Sequence, residues 1–309
     1  MGRIQRKRPF WSLAGPLLGY LLIRGVVEFC IQLAISFPRM MNVYYEMFEV
    51  NASPTMDDLT NAYVQAFQTV LEVVAEYQVE IASVSALCTV ILTGILFAKD
   101  RKLERACGIL PPAKAPAKEY WKILIFGAAG SVSASCLMAM AQLVLADGRY
   151  AQTSEVMYSA GLPVQLIGLG IIIPIAEEMM FRGILFRRYR ENQRFWYSAL
   201  CSSLIFSFMH TNTIQMIYGF LAGLMFCYLY DKFGSIKAPA FLHIVLNVSS
   251  VVCTETGVFR WLGADPIRMA GATIGGAFIC SVMFVLIQRL EGFGTQDSPR
   301  EKEHSDDLF

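Results

Sequence analysis

The stretch LPVQLIGLGIIIPIAEEMMFRGILF, residues 162–186, is long and apolar enough to cross a bilayer, yet it carries two adjacent carboxylates and an arginine. An ionisable side chain inside an apolar span costs about 2.5 to 3.5 kcal/mol, so each one calls for a partner or a function. Glu178 and Arg182 are four residues apart and can pair along a helix, whereas Glu177 points about 100° away from them. A desolvated carboxylate without a neighbouring cation can exchange protons with water near neutral pH, as general-base chemistry requires.

The composition of the whole chain indicates a polytopic membrane protein. Of its 309 residues, 55% are hydrophobic and 17% are charged, and the mean hydropathy is +0.46. Roughly 20 apolar residues cross a hydrocarbon core about 30 Å thick. Apolar stretches occur near residues 10–37, 81–98, 122–146, 162–186, 196–210, 214–231, 238–253 and 268–290. We therefore predict an all-α transmembrane helical bundle with about eight spans, of which the fifth and seventh are short.

The distribution of charge predicts the orientation of this bundle. Lys and Arg collect in the first eight residues and in the segment 99–122, whereas nearly all charged residues of 38–80 are acidic. Positively charged short loops stay in the cytoplasm, which predicts that both termini are cytoplasmic. We expect an integral, multi-pass protein of a bacterial cell membrane, with the lipid bilayer as its environment. The net charge of +1 is a balance between two opposed faces and gives no reason to expect a nucleic-acid partner.

The chain divides into three predicted parts. Residues 1–116 form a peripheral N-terminal part, which ends in a basic, proline-containing loop. Residues 117–255 form the membrane core, and residues 256–309 comprise the last transmembrane helix and a polar tail that we expect to be disordered. Within the first part, residues 38–80 predict an external amphipathic helix that starts near residues 51–58. Arg24 and Glu28, four apart in the first span, have the spacing of an internal ion pair.

Cysteine use predicts neither a disulfide framework nor a metal-binding motif. Seven of the eight cysteines lie in or at apolar spans and are expected to be small core residues. Cys107, in the basic loop, lacks the CxxC partner that zinc or redox chemistry would use.

Two of the three histidines also lie in apolar spans. His210 ends the fifth span, and His243 shares one helical face with Asn247 in the seventh. His304 lies in the polar tail. Together with Glu177, three spans thus contribute a polar group without an obvious local partner, which is how sites in helical-bundle cores are built.

These motifs resemble a known family. Glu-Glu-x-x-x-Arg at 177–182, Phe-x-x-x-His at 206–210 and His-x-x-x-Asn at 243–247, in this order on successive helices, are similar to those of the CPBP intramembrane proteases. That family includes the eukaryotic CAAX endopeptidases and bacterial homologues linked to bacteriocin self-immunity and peptide maturation. The resemblance covers roughly residues 120–255. It implies a glutamate-dependent endopeptidase that needs no cofactor and acts on a membrane-embedded or lipidated peptide or protein.

The resemblance also implies roles for the individual residues. Glu177 and His210 would activate a water molecule that attacks the scissile carbonyl, and His243 and Asn247 would stabilise the oxyanion. Glu178 and Arg182 would support the site as an ion pair. Removal of an oxyanion donor typically costs about 10² to 10³ in rate, so such donors are needed by any hydrolase without a nucleophilic side chain.

Three alternatives stay open at the level of sequence. Two histidines and a glutamate could instead bind zinc with water in the fourth position, although the chain has no HExxH motif and Asn is a poor zinc ligand. A proton-coupled transporter would also hold Glu, Arg and His at mid-membrane. A non-catalytic membrane partner that binds peptides is the third alternative.

Overall fold

The computed structural model describes residues 4, 6, 9–145, 148–210 and 212–294, and this part of the chain is helical without a β-strand. The polar tail that we predicted to be disordered lies outside it. The helices are α1 (Pro9–Val50), α2 (Met56–Glu76), α3 (Gln78–Ala106), α4 (Trp121–Leu145), α5 (Gly148–Met157), α6 (Leu162–Arg190), α7 (Phe195–Ser207), α8 (Thr213–Phe233), α9 (Lys237–Glu255), α10 (Val258–Gly263) and α11 (Pro266–Gln288).

The described helices confirm the prediction of a polytopic all-α membrane bundle. Seven of them, α1, α3, α4, α6, α8, α9 and α11, are long and apolar enough to cross a membrane, and each coincides with a predicted span. The fifth predicted span differs, because α7 has only 13 residues. At 1.5 Å per residue it is about 20 Å long, which is less than the thickness of the hydrocarbon core.

The shortness of α7 determines the depth of His210. The helix ends at Ser207, and His210 follows in the turn that leads to α8. His210 thus lies roughly 20 Å from the start of α7 at Phe195. Since α6 continues to Arg190, four residues beyond its predicted end, Glu177 lies at a similar distance of roughly 20 Å from the end of α6. The two side chains are therefore brought to the same depth.

The first two spans are joined by a helical hairpin. α1 continues to Val50, and α2 begins after Thr55, whose hydroxyl accepts a hydrogen bond from the Asp58 backbone N–H while the Asp58 carboxylate accepts one from the Thr55 backbone. This capping box fixes the start of α2. Ala62 and Ala66 pack against Val43 of α1. An amphipathic helix is thus present where residues 38–80 predicted one.

Packing around α6 creates the interior of the bundle. α6 contacts α1, α3, α7, α8 and α9, while α4 packs between α9 and α11. The main core cluster contains several large aromatic rings that are almost completely buried. They are Tyr20, Phe181, Phe206, Phe226 and Phe233. The predicted pair of Arg24 and Glu28 is present, with 2.8 Å between Nε and Oε1. All eight cysteines are free, but the prediction that seven of them are core residues holds only for Cys136 and Cys227, which are buried, whereas Cys30 is exposed.

Candidate active site

The two adjacent glutamates lie on a helix whose hydrogen bonding is irregular on both sides of them. α6 is π-helical over Gln165–Ile172 and again over Phe181–Phe186, and only Ile173–Met180 between these segments is a regular α-helix. π-helical turns are rare in proteins, but those that occur are often located at functional sites. In the first segment, the Ile173 N–H donates to the Gly168 carbonyl, five residues earlier. The next residue, Pro174, has no N–H, so the Leu169 carbonyl loses its expected partner.

Asn247 supplies the missing donor to this carbonyl. Its Nδ2 donates to the Leu169 oxygen at 2.8 Å, which links α9 to α6 eight residues before Glu177. A buried carbonyl without a partner costs free energy, so this hydrogen bond stabilises the irregular helix. The contact was not predicted from the sequence. The oxyanion role of Asn247 stays a prediction, and the second Nδ2 hydrogen is the one that could fulfil it.

Glu178 is the centre of a fully buried charge cluster. Its Oε1 accepts a hydrogen bond from Arg182 at 2.9 Å, as the four-residue spacing predicted, and both side chains have no exposed surface. The same oxygen lies 3.0 Å from Nδ1 of His243 on α9. Because an ionised carboxylate can only accept hydrogen bonds, Nδ1 of His243 carries the proton. Glu178 therefore orients His243, which leaves Nε2 facing the site.

Aromatic rings and a close helix contact hold Arg182 in place. The guanidinium lies over the rings of Phe206 and Phe226, at 4.5 and 4.8 Å from their centroids. One of its nitrogens donates to the Gly223 carbonyl of α8 at 3.2 Å. A Cβ on Gly223 would come within 3.0 Å of that nitrogen, so this approach depends on glycine. The guanidinium thus has its partners in Glu178, in Gly223 and in the two rings, while its buried Nε has no hydrogen-bond partner among the described residues.

Glu177 is directed toward the two histidines. Its Oε2 is 3.8 Å from Nε2 of His243, and its side chain is 12% exposed. His210 is near enough for its charge to interact with those of Glu177 and His243. Phe206 contacts both imidazoles edge-on, with centroid distances of 5.2 Å to His210 and 6.0 Å to His243. The imidazoles of His210 and His243 therefore flank one apolar ring, with Glu177 close to His243.

The free imidazole nitrogens point to proton transfer. Nδ1 of His210 is buried and has no hydrogen-bond partner among the described residues. Buried polar groups are normally hydrogen-bonded, so an unpartnered nitrogen beside a carboxylate is a place for water or substrate. His243, by contrast, is fixed at its edge and on one face. Its Nδ1 is hydrogen-bonded to Glu178, and the Phe226 ring is stacked on the imidazole with 4.7 Å between centroids.

The donors considered for a zinc site do not form a ligand set. Across the described part of the chain, no three His, Cys, Asp or Glu side chains converge closely enough to hold a metal ion. Nδ1 of His243 is occupied by Glu178, which leaves Nε2 as the one nitrogen of this ring that could face a metal ion.

Sequence reasoning missed the contribution of α8. Gly219, Gly223 and Phe226 touch His210, Arg182 and His243 respectively, yet none of them was selected as a candidate. A signal was available, because Gly219 and Gly223 are four residues apart, and small residues at this spacing mark close helix approach in membranes. The spacing does not show which helix would pack against these glycines.

Comparison with known proteins agrees with the predicted resemblance. Residues 159–249 match the family model described as "Type II CAAX prenyl endopeptidase Rce1-like". The curated "Putative membrane peptidase YdiL" of Bacillus subtilis (strain 168) is 28% identical to this chain over 138 residues, which are 44% of the chain and 56% of that relative. The chain thus spans little more than half of the relative's length. No solved structure matches.

The family match coincides with the site described above. The matched residues begin before the first π-helical segment of α6 and end two residues after Asn247. The predicted resemblance to the CPBP intramembrane proteases is therefore confirmed, and the chain is an integral, multi-pass membrane protein.

Proposed function

We propose that this membrane protein is an intramembrane endopeptidase in which Glu177 is the general base. The similarity of its core to the type II CAAX prenyl endopeptidases supports the proposal. Glu177 takes a proton from a water molecule, and the resulting hydroxide attacks the carbonyl carbon of the scissile peptide bond. The observation that carries this proposal is the approach of Glu177 Oε2 to His243 Nε2, 3.8 Å apart in a largely desolvated interior. A base and a donor thus flank one position that a water molecule and a carbonyl can share.

His243 is proposed to stabilise the tetrahedral intermediate. Its Nδ1–H is held by Glu178, so in the imidazolium form the second ring proton is on Nε2, which faces the site. In that form Nε2–H can donate to the developing oxyanion. Asn247 is proposed to add a second donor through the Nδ2 hydrogen that Leu169 does not use. Donors fixed in advance are effective because they need no reorganisation when the negative charge develops.

His210 is proposed to complete the proton transfer. It lies in the turn after α7, and its unpartnered Nδ1 can bind the attacking water together with Glu177 or give a proton to the leaving amine. The proton that Glu177 takes from water is passed, through His210, to the amine nitrogen as the C–N bond breaks. The amine then leaves protonated, the carboxyl product keeps the oxygen of the water, and Glu177 is ionised again.

The proposed substrate is a membrane-embedded or lipidated peptide or protein of a bacterial cell membrane. Support comes from the depth of the site, which is about 20 Å along α6 and α7 from their charged ends. A soluble, folded substrate would not present a peptide bond there. We propose residues 117–255 as the catalytic unit, with no cofactor.

The experiment that tests this proposal is a cleavage assay with the full chain in proteoliposomes. The probes are a prenylated CAAX peptide and a library of single-span membrane peptides, with products identified by mass spectrometry. We expect cleavage by wild type and a loss of at least about 10²-fold in Glu177→Gln, which keeps the size of the side chain but cannot accept a proton.

Glu72→Gln on α2 is the matched control, because it makes the same chemical change outside the site and should retain full activity. Equal turnover by Glu177→Gln and wild type would refute Glu177 as the base. Transport of protons or peptide by wild type without any cleavage would favour the carrier alternative instead.

A further inference from the structure

The turn between α7 and α8 ends at Asn212, a buried side chain whose amide nitrogen has no partner. Asn212 is 1% exposed, and its Oδ1 accepts a hydrogen bond from the Gln215 backbone N–H at 2.8 Å. Since only the oxygen of an amide can accept this bond, the other end of the amide is the Nδ2 donor. Nδ2 is buried without an acceptor among the described residues. Buried donors are normally hydrogen-bonded, so this one indicates a place for a ligand.

Asn212 lies on the face of α8 that forms the site. Along this helix, Gly219 lies against the His210 ring, and Phe226 is stacked on His243. Asn212 is the N-cap of α8. At about 100° per residue, Asn212 and Phe226 each fall within about 20° of Gly219 around the helix axis. The unpartnered donor is therefore located at the start of the face that both histidines contact.

His210 and Asn212 are near enough to bind one ligand together. Their Cα atoms are separated by two steps of about 3.8 Å, so they are at most about 7.6 Å apart. His210 also has a buried nitrogen, Nδ1, without a partner among the described residues. The first N–H groups of α8 add to these two nitrogens, because the start of a helix has free donors and the positive end of the dipole. An oxygen acceptor beside His210 would satisfy this turn.

We propose that Asn212 is a further substrate-contacting residue, whose Nδ2 donates to a backbone carbonyl of the bound peptide. The inference rests on the proposed function, in which His210 gives a proton to the leaving amine. The acceptor is the carbonyl oxygen of the residue that carries this amine. Three backbone bonds join that oxygen to the amine nitrogen, so the two atoms are at most about 4 Å apart. One residue of the substrate can thus contact both His210 and Asn212.

This acceptor is a different oxygen from the one that becomes the oxyanion. His243 and Asn247, which are proposed to stabilise the oxyanion, come from α9, whereas His210 and Asn212 share the turn before α8. The two pairs of residues therefore contact the two sides of the scissile bond. Asn212 belongs to the side of the leaving amine.

The experiment compares two substitutions that keep the N-cap and remove the donor. Asn212→Asp keeps an acceptor for the Gln215 N–H and replaces Nδ2 with an oxygen, whereas Asn212→Ser keeps a shorter capping hydroxyl. Asn, Asp and Ser are about equally good N-caps, so the melting temperature should not fall in either variant. We expect kcat/KM to fall about threefold to tenfold in Asn212→Ser, as for the loss of one hydrogen bond. The fall should be larger in Asn212→Asp, whose carboxylate repels the substrate carbonyl.

A thioamide substrate makes the test specific. Sulfur is a weaker acceptor than oxygen, so a thioamide at the carbonyl of the leaving residue should slow wild type but not Asn212→Ser. A double-mutant cycle of protein and substrate gives the coupling between them. A thioamide one residue further along should slow the two proteins equally. The matched control is Asp265→Ser, a cap exchange at the start of α11, where Oδ1 accepts from the Ile267 N–H at 2.8 Å, and it should keep full activity.

Peptide binding gives a readout that needs no cleavage. The probes are the membrane peptides of the cleavage assay, carrying a fluorophore, and the full chain is held in nanodiscs. With Glu177→Gln as the background, adding Asn212→Ser should raise Kd about threefold to tenfold. Equal Kd values would overturn the inference, as would a melting temperature that falls in step with activity in both cap variants, because Asn212 would then only cap α8.

The binding and cleavage results also separate this inference from the proposed function. Binding that weakens in Asn212→Ser, together with a wild type that cleaves no probe, would refute the endopeptidase and retain the contact. Cleavage by wild type with equal Kd values would retain the endopeptidase and refute the contact. A chain that binds none of the probe peptides would refute both.

Discussion

Glu178 is the residue on which the arrangement of the site depends most. One of its oxygens accepts hydrogen bonds from both Arg182 and His243, and the side chain has no contact with solvent. A buried ion pair as a whole adds little to the stability of a protein. Removal of one partner is nevertheless strongly destabilising, because it leaves the other charge buried and uncompensated. Glu178 therefore has a structural role for Arg182 and an orienting role for His243.

We predict that Glu178→Ala lowers both stability and activity. The change leaves Arg182 without its carboxylate, at a cost of about 3 to 5 kcal/mol, and frees the His243 imidazole to rotate. Thermal unfolding in detergent measures the first effect, and the cleavage assay measures the second. The double variant Glu178→Leu/Arg182→Met, which removes the charges at similar volume, should recover much of the stability but not the activity. A normal melting temperature for Glu178→Ala would contradict the pairing.

The residue scale also shows where sequence reasoning succeeds. The pair of Glu178 and Arg182 and the pair of Arg24 and Glu28 follow from four-residue spacing within one helix, and both are present. The hydrogen bond from His243 to Glu178 could not be predicted in the same way, because it joins helices separated by 65 positions in sequence. Its geometry depends on how α6 and α9 pack.

At the scale of helices, α8 shapes the site without supplying a reactive group. Gly219 lies against the His210 ring, so that a Cβ there would be 3.1 Å from Cε1 and 3.2 Å from Nδ1. Contacts this short require the neighbour to shift by a few tenths of an ångström. Since His210 lies in a turn, its imidazole is the group that can yield.

We predict that Gly219→Ala lowers kcat/KM by roughly tenfold to hundredfold while the melting temperature changes little. A small displacement of a catalytic group is sufficient for a loss of this size. Gly275→Ala on α11 is the control, because its Cβ would meet no atom within 4 Å and should add about 0.5 to 1 kcal/mol of stability with full activity. Wild-type turnover by Gly219→Ala would mean that the position of His210 is not important.

Helix boundaries illustrate a second limit of sequence reasoning. Hydropathy predicted the spans because each contains an apolar run of suitable length. It could not predict that α7 stops after 13 residues, since the residues that follow, Phe208 and Met209, are still apolar. The π-helical segments were not predicted either, although the missing N–H of Pro174 gives a local reason for irregularity.

At the scale of the whole molecule, one end of the bundle is tied together by buried ion pairs. Asp100 of α3 accepts from Arg188 of α6 at 2.7 and 3.1 Å and from Arg6 at 3.1 Å. Arg6 also pairs with Glu191, and Arg187 pairs with Glu104. Of these arginines, only Arg6 contributes to the prediction of cytoplasmic orientation, as part of the basic N-terminus. Their partners could not be predicted, because they lie at the ends of helices that are distant in sequence.

We predict that Asp100→Asn destabilises the protein by about 3 kcal/mol or more, because it leaves Arg188 buried without its carboxylate. The measurement is thermal unfolding of the purified protein in detergent. Glu76→Gln is the control, since its partner Arg39 and the pair itself are exposed, and such pairs contribute about 1 kcal/mol or less. Equal losses for the two variants would show that this cluster does not hold α1, α3 and α6 together.

The central claim is that Glu177 itself, rather than a metal ion, activates the water. The most direct measurement is cleavage activity of the wild-type chain before and after exhaustive chelation, with zinc content determined on the same samples by elemental analysis. We predict substoichiometric zinc and retention of most activity after treatment with a strong chelator. Stoichiometric zinc that is lost in step with activity, and whose return restores activity, would contradict the claim.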